Sequence, residues 1–223
     1  LLGGSSFEVA LALTTGLDGS IFVSGIAQGS FDGQTNSGGG DVFIVKYNTD
    51  GSKAWTKLLG GSSSDYPYAL TTGLDGSIFV SGTTNGNLDG QTNSGGYDAF
   101  IAKYLPDGTK SWTKLLGTTS DDSARSLTTG ADGSIYVSGG INANASNFAD
   151  TFISKYLSDG TNSWTKLVGN ASFGGSSILT TGADGSIYVG GPTYYNLDGQ
   201  INNGAPDAFI IKYQVTPQIT FAA

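Results

Sequence analysis

The sequence predicts an all-β fold: a β-propeller of four four-stranded antiparallel blades, with a ring that is incomplete or open. Three observations predict it. First, one unit is written four times. Leu1–Lys57, Leu58–Lys114 and Leu115–Lys166 each run from a Leu-Leu-Gly to a Trp-Thr-Lys, and Leu167–Tyr213 repeats most of the unit. The period is about 57 residues twice and then about 52. A period of roughly 40 to 60 residues carrying several short strands marks a propeller, with one blade per repeat. Second, each unit carries two Asp-Gly hairpin signals between β-rich runs. Third, aromatic residues fall at fixed repeat positions, as sheet-on-sheet packing requires.

The second repeat shows the parts. Tyr68–Thr72 reads as strand A and ends at Asp75-Gly76. Ser77–Ser81, rich in β-branched and aromatic residues, reads as strand B. A polar loop over Gly82–Tyr97 follows. Asp98–Tyr104 is strand C, with Phe100, Ala102 and Tyr104 on one face and Ala99, Ile101 and Lys103 on the other. Pro106-Asp107-Gly108 turns the chain into strand D, Ser111–Leu116. No segment sustains a 3.6-residue period, so no helix is expected. The blades are placed at about 1–57, 58–114, 115–166 and 167–213, with 214–223 a linker or the first strand of a further domain. The chain starts within a repeat and reads as a piece of something longer. Blade four borrows residues 1–3, or borrows the C-terminal tail, or stays incomplete.

Composition limits the chemistry. The formal charge is −8, and seven of the ten basic residues occupy just two repeat positions, so no basic patch for nucleic acid is expected. There is no Cys and no His, which removes disulfides, thiolate or imidazole metal sites and His-based acid–base catalysis. No apolar run is long enough to span a membrane.

The eighteen acidic residues sort by repeat position. Seven are hairpin aspartates: Asp18, Asp75, Asp132 and Asp184 between strands A and B, and Asp50, Asp107 and Asp159 between C and D. Asp41, Asp98, Asp150 and Asp207 precede strand C. Asp32, Asp89 and Asp198 lie in the B–C loop, and Glu8, Asp65, Asp121 and Asp122 in the D–A connection. Both connections emerge on one face of a propeller, so these loop acids are expected to converge there. The candidate ligand-binding residues are Glu8, Asp32, Gln34, Asn36, Asp65, Asp89, Gln91, Asn93, Asp122, Asp198, Gln200 and Asn202. Their partner would be a protein or a glycan. Oxygen atoms at Asp89, Gln91 and Asn93, with Asp98 beyond, are the ligand type a hard cation such as Ca²⁺ takes, which makes Asp89, Asn93 and Asp98 a candidate metal set. With two carboxylates and no bidentate Glu, the alternative is an Asx-turn network ordering a Gly-rich loop, with no cofactor. A catalytic pair would be asymmetric, whereas these acids recur, so no catalytic residue is assigned.

The run Asp98-Ala-Phe-Ile-Ala-Lys-Tyr, then Asp107-Gly108, Trp112, Leu115-Leu116-Gly117, Leu127 and Asp132-Gly133-Ser134-Ile135-Tyr136-Val137-Ser138-Gly139 resembles the SBBP-type bacterial β-propeller repeat. The resemblance covers Leu1–Tyr213. It implies a propeller and an extracellular or cell-surface setting, and it implies no defined reaction. Three functions follow: a non-enzymatic scaffold or interaction module binding through the B–C and D–A loop face, a carbohydrate-active enzyme or calcium-dependent lectin, and a structural spacer. Repeat three departs from the pattern: its B–C segment, Gly139–Ala149, lacks the Asp-Gly-Gln motif.

Overall fold

The computed structural model describes residues 2–143, 148–173 and 177–215. It contains fifteen strands and, among the described residues, no helix. Blade one is β1 (Glu8–Thr15), β2 (Ile21–Ala27), β3 (Asp41–Tyr47) and β4 (Lys53–Leu59). Blade two is β5 (Asp65–Thr72), β6 (Ile78–Thr84), β7 (Asp98–Tyr104) and β8 (Lys110–Leu116). Blade three is β9 (Asp121–Thr129), β10 (Ile135–Ala143), β11 (Phe148–Tyr156) and β12 (Asn162–Phe173). Blade four is β13 (Ile178–Thr181), β14 (Ile187–Thr193) and β15 (Asp207–Tyr213). Every pairing is antiparallel and sequential, so the fold is a β-propeller. The fourth blade has three strands among the described residues; the expected strand in 218–223 lies outside them.

Strand C of the second repeat begins and ends where the pattern places it, and strands A and D start earlier. β5 starts at Asp65 because a register shift between Pro67 and Ala69 absorbs the proline, which has no N–H to give the ladder. The hairpins form as the Asp-Gly pairs require. Gly76 adopts φ 78° and Asp75 Oδ1 accepts the Ser77 N–H at 2.9 Å.

Both faces of each inner blade are buried, and each face belongs to a different interface. Phe100, Ala102 and Tyr104 pack with Phe22, Val42 and Ile44 of blade one. Ala99 and Ile101, on the other face, pack with Leu127, Val137 and Phe152 of blade three. A single β-strand therefore holds apolar residues on both sides, as a layer between layers must. The tryptophans close each interface from the outside. Trp55 lies 5.7 Å from Phe22 and donates its Nε1–H to Pro106 O of the next blade at 3.2 Å; Trp112 lies 5.8 Å from Phe79 and donates to Ser158 O at 3.2 Å.

The first strands pack on one another around the axis. A threonine ladder joins them: Thr72 Oγ1 donates to Thr15 O, Thr129 Oγ1 to Thr72 O, and Thr181 Oγ1 to Thr129 O, at 2.7–2.9 Å. The arc remains open. Leu13, at the outer face of blade one, is 68% exposed while its repeat counterpart Leu70 is 9% exposed. Ile210, at the outer face of blade four, is 80% exposed while Ile101 is 3% exposed.

Candidate functional site

The B–C and D–A connections meet on one face, as expected. Asp65 N donates to Gly40 O, Asn85 N to Ser64 O, and Gln28 N to Phe7 O, so backbone bonds of 2.7–3.0 Å tie the end of each B–C loop or B strand to the neighbouring D–A link. The acids separate into two sets with different partners.

The first set turns outward to strand D. In Phe31–Gln34 and Leu88–Gln91, paired backbone bonds close a tight turn, and Asp32 and Asp89 occupy its left-handed corner at φ 53° and 55°. Asp tolerates that conformation because its short polar side chain bonds locally. Each carboxylate then reaches the outermost strand of its own blade: Asp32 takes Lys53 and Thr56, and Asp89 takes Lys110 and Thr113. These bonds hold both carboxyls below the usual range, against the opposing effect of burial. Sequence reasoning missed this pairing because 21 residues separate acid and lysine. A signal existed within the repeats: repeat three lacks the loop acid and carries Asn162 where the lysine stands.

The second set is buried at the blade junctions. Asp41, Asp65 and Asp98 are fully buried, and Asp122 nearly so. Asp41 Oδ2 accepts Ser37 N at 2.8 Å, Asp65 Oδ2 accepts Gly61 N at 2.9 Å, and Asp98 Oδ2 accepts Ser94 N at 2.8 Å. Burial pushes Asp65 up to about 6, with the neighbouring Asp41 charge adding to the shift and the Thr84 hydroxyl and Gly61 N–H opposing it. Burial also raises Asp41 and Asp122. The glycines of Leu-Leu-Gly make room: a methyl on Gly60 would fall on the Asp41 carboxyl, and one on Gly117 on that of Asp98.

The remaining predicted residues order the loops. Asn93 Nδ2 donates to Thr84 O and Gly96 O while its Oδ1 accepts Gly95 N; Asn36 does the same around Ala27, Gly39 and Gly38. Asn202 repeats this with Thr193 O and Gly204 N. Gln34, Gln91 and Gln200 close their turns through backbone atoms. Glu8 Oε2 accepts Gly4 N at 2.9 Å. Asp198 is exposed and has no hydrogen bond or ion pair among the described residues. In the candidate metal set Asp89 bonds Lys110, Asn93 bonds loop carbonyls and Asp98 accepts the Ser94 amide. Among the described residues no group of three or more acidic side chains is gathered as a metal would need.

The first strands of blades two and three, with the end of the blade-two B–C loop, carry a feature that the repeat pattern hides. Tyr66 and Tyr97 lie 6.5 Å apart, and the Arg125 guanidinium sits 4.8 Å over the Tyr68 ring. All four side chains are partly exposed. Arg125 is the one arginine of the chain, and its repeat counterparts are Leu11 and Tyr68. Reasoning from recurrent residues passes over such positions, because their signal is departure from the repeat.

Sheet order, interface aromatics and the single loop face define a β-propeller repeat protein. The family profile described as SBBP, beta-propeller repeat, matches residues 54–89, which span strand D of blade one and strands A and B of blade two. Regulatory protein FlaEY of Caulobacter vibrioides is 27% identical across 81% of this chain and 22% of its own length. An uncharacterized WD repeat-containing protein, L264, of Acanthamoeba polyphaga mimivirus is 24% identical across 80% of this chain and 14% of its own. The chain thus spans under a quarter of these relatives. A catalytically inactive virginiamycin B lyase from Staphylococcus aureus, crystallised with quinupristin, superposes with a TM-score of 0.55 at 14% identity, over 98% of this chain and 59% of that one. At that identity the likeness concerns the fold alone.

Proposed function

We propose that this chain is a non-enzymatic interaction module of an extracellular or cell-surface protein, binding a protein or a glycan on its B–C and D–A loop face. The observation that carries this reading is the partly exposed group formed by Tyr66 and Tyr68 of β5, Arg125 of β9 and Tyr97 at the end of the B–C loop. Aromatic rings beside a guanidinium offer stacking, cation–π and hydrogen-bonding contact at low entropic cost, which is the chemistry of binding surfaces. The carboxylates argue for scaffolding. Among the described residues the hairpin and loop carboxylates, save Asp198, are taken up by turns and lysines, and each buried junction carboxylate accepts a backbone amide. A relative that bears the name of a regulatory protein supports binding over catalysis.

The test is a glycan array and a panel of surface-protein ectodomains probed with the chain and with its Arg125→Ala and Tyr97→Ala variants. Binding lost in both variants, with thermal midpoint retained, supports the reading. A ligand bound equally by the variants, or hydrolysis of a chromogenic glycoside, contradicts it.

A further inference from the structure

Arg125 is a cation without a counter-ion in a chain of formal charge −8. All eighteen acidic residues lie within the described segments, and the ion pairs they make there are with lysines. The two acids on its own strand are bonded elsewhere. Asp121 Oδ1 accepts the Tyr97 N–H at 2.9 Å, and the buried Asp122 accepts the Thr118 and Asn142 amides. What holds Arg125 is neutral. Its Nε–H donates to Ser123 Oγ at 3.2 Å, and its guanidinium carbon lies 4.8 Å from the centre of the Tyr68 ring. A guanidinium has five N–H donors in a fixed fork, and these contacts engage one N–H and the ring face. The fork is thus held in place, and among the described residues its Nη atoms donate to nothing.

The surroundings of the fork are aromatic rings and hydroxyls. Burial raises the Tyr68 phenol above its usual range; Arg125 opposes that shift, and the nearby Tyr97 and Tyr66 phenols add to it. Tyr68 therefore stays protonated at neutral pH and keeps an O–H to donate. Tyr66 and Tyr97 stand 6.5 Å apart with their planes at 55°, and both are partly exposed. Tyr97 is tied to the start of β9 through its bond to Asp121, so the loop end and the two first strands form one surface.

We infer that this group is a site for an acidic glycan. The Arg125 fork takes an anionic group on a pyranose ring, a uronate carboxylate or a sulfate ester, and the Tyr66 and Tyr97 rings take the apolar face of the sugars. Arg pairs with planar or tetrahedral oxyanions through two parallel N–H bonds, which gives direction as well as strength. The phenol and Ser123 hydroxyls match a polyhydroxylated ring better than they match an acidic peptide. The net charge of the chain repels polyanions, so capture depends on the local fork and not on bulk attraction. The inference rests on the binding role proposed for this group and names its ligand chemistry.

The probe is trigalacturonate, titrated into the whole chain by calorimetry beside its methyl ester, which keeps the rings and loses the charge. Saturable one-to-one binding of the acid is expected, about tenfold or more tighter than that of the ester, since a hydrogen bond to a charged group is worth at least that much. Arg125→Gln abolishes the difference. Arg125→Lys, which keeps the charge and loses the planar fork, weakens binding of the acid. A sulfated galactan trisaccharide and its desulfated form are compared in the same way. A preference for the charged member of either pair, lost in Arg125→Gln with the thermal midpoint retained, supports the inference and assigns the source of the charge. Charged and neutral members bound equally overturn it, while leaving the binding role of the group in place. Absence of saturable binding by both charged sugars overturns it as well. So does a tetraglutamate peptide bound as tightly as the charged sugars, which assigns the fork to an acidic protein segment. The binding role itself fails separately, when neither the glycan array nor the ectodomain panel yields a ligand sensitive to Arg125→Ala and Tyr97→Ala.

Discussion

Lys103 Nζ lies 2.9 Å from Asp75 Oδ2 and 5.4 Å from the centroid of the Phe79 ring, all within one blade. The arrangement recurs as Lys46 with Asp18 and Phe22, Lys155 with Asp132 and Tyr136, and Lys212 with Asp184 and Tyr188. A buried lysine stem covers an aromatic ring while its ammonium pins the A–B turn, so one residue joins hairpin, sheet face and blade interface. In blade two it also reaches the next blade, donating to Ser158 O at 3.1 Å.

Lys103→Met therefore loses more than a surface ion pair. Its side chain is 8% exposed and that of Asp75 is 50% exposed, so the Coulombic part is screened. Adding the cation–π contact and the lost bond to Ser158, a cost of about 1–2 kcal/mol is expected. Urea unfolding measures it. Lys212→Met, at the open end of the arc, should lower the midpoint less.

The glycine of Leu-Leu-Gly gives a steric prediction. Gly117→Ala drives a methyl into the buried Asp98 carboxyl, and overpacking at such a site costs about 2–3 kcal/mol. Gly90→Asn is the contrast: the added side chain meets open space, and Asn accepts φ 76°, so the loss stays under about 1 kcal/mol. Paired thermal melts separate the two.

Stability should peak in mildly acidic solution. Asp65 is raised from 3.8 to about 6, so the fold binds its proton more tightly than the unfolded chain does. That preference favours the folded state as pH falls from above 6 toward 4, and is absent above. The turn aspartates are lowered, Asp184 to about 2 by Lys212 and Ser186. Their contribution is present above about 4 and disappears as pH falls through their folded values. Asp65→Asn removes the first effect. The variant should exceed the parent by on the order of 2 kcal/mol at pH 7.5, with the gap closing near pH 4. A gap independent of pH would contradict the assignment.

Loop anchoring is testable at Asp89. Asp89→Ala removes the bonds to Lys110 and Thr113 and places a β-carbon residue without local bonding at φ 55°. A loss of about 1–2 kcal/mol is expected. The equivalent change at Asp198 should cost the isolated chain less, as no strand-D lysine meets it.

Much of this fold was legible because the repeat displays each signal several times. Asp75-Gly76 and Asp107-Gly108 mark their hairpins, and the alternation of Phe100 and Ile101 assigns two opposite faces, both seen buried. The candidate site was less legible. Loop acids look alike in sequence, yet Asp89 travels to strand D while Asp98 is buried beneath Gly117, because burial and cross-strand partners are set by tertiary placement. Tyr68 and Arg125 were passed over since they break the pattern by which the rest was read.

Neighbouring blades share one axis, with their first strands in contact. The chain has no cysteine, so a designed pair reports cleanly. Thr128 Oγ1 and Thr181 Oγ1 lie 2.9 Å apart across blades three and four. Thr128→Cys with Thr181→Cys should oxidise in the dilute folded protein to a single internal crosslink in the monomer, with the thermal midpoint kept or raised. Thiols that stay free under oxidising conditions, or that crosslink only between molecules, would contradict the propeller.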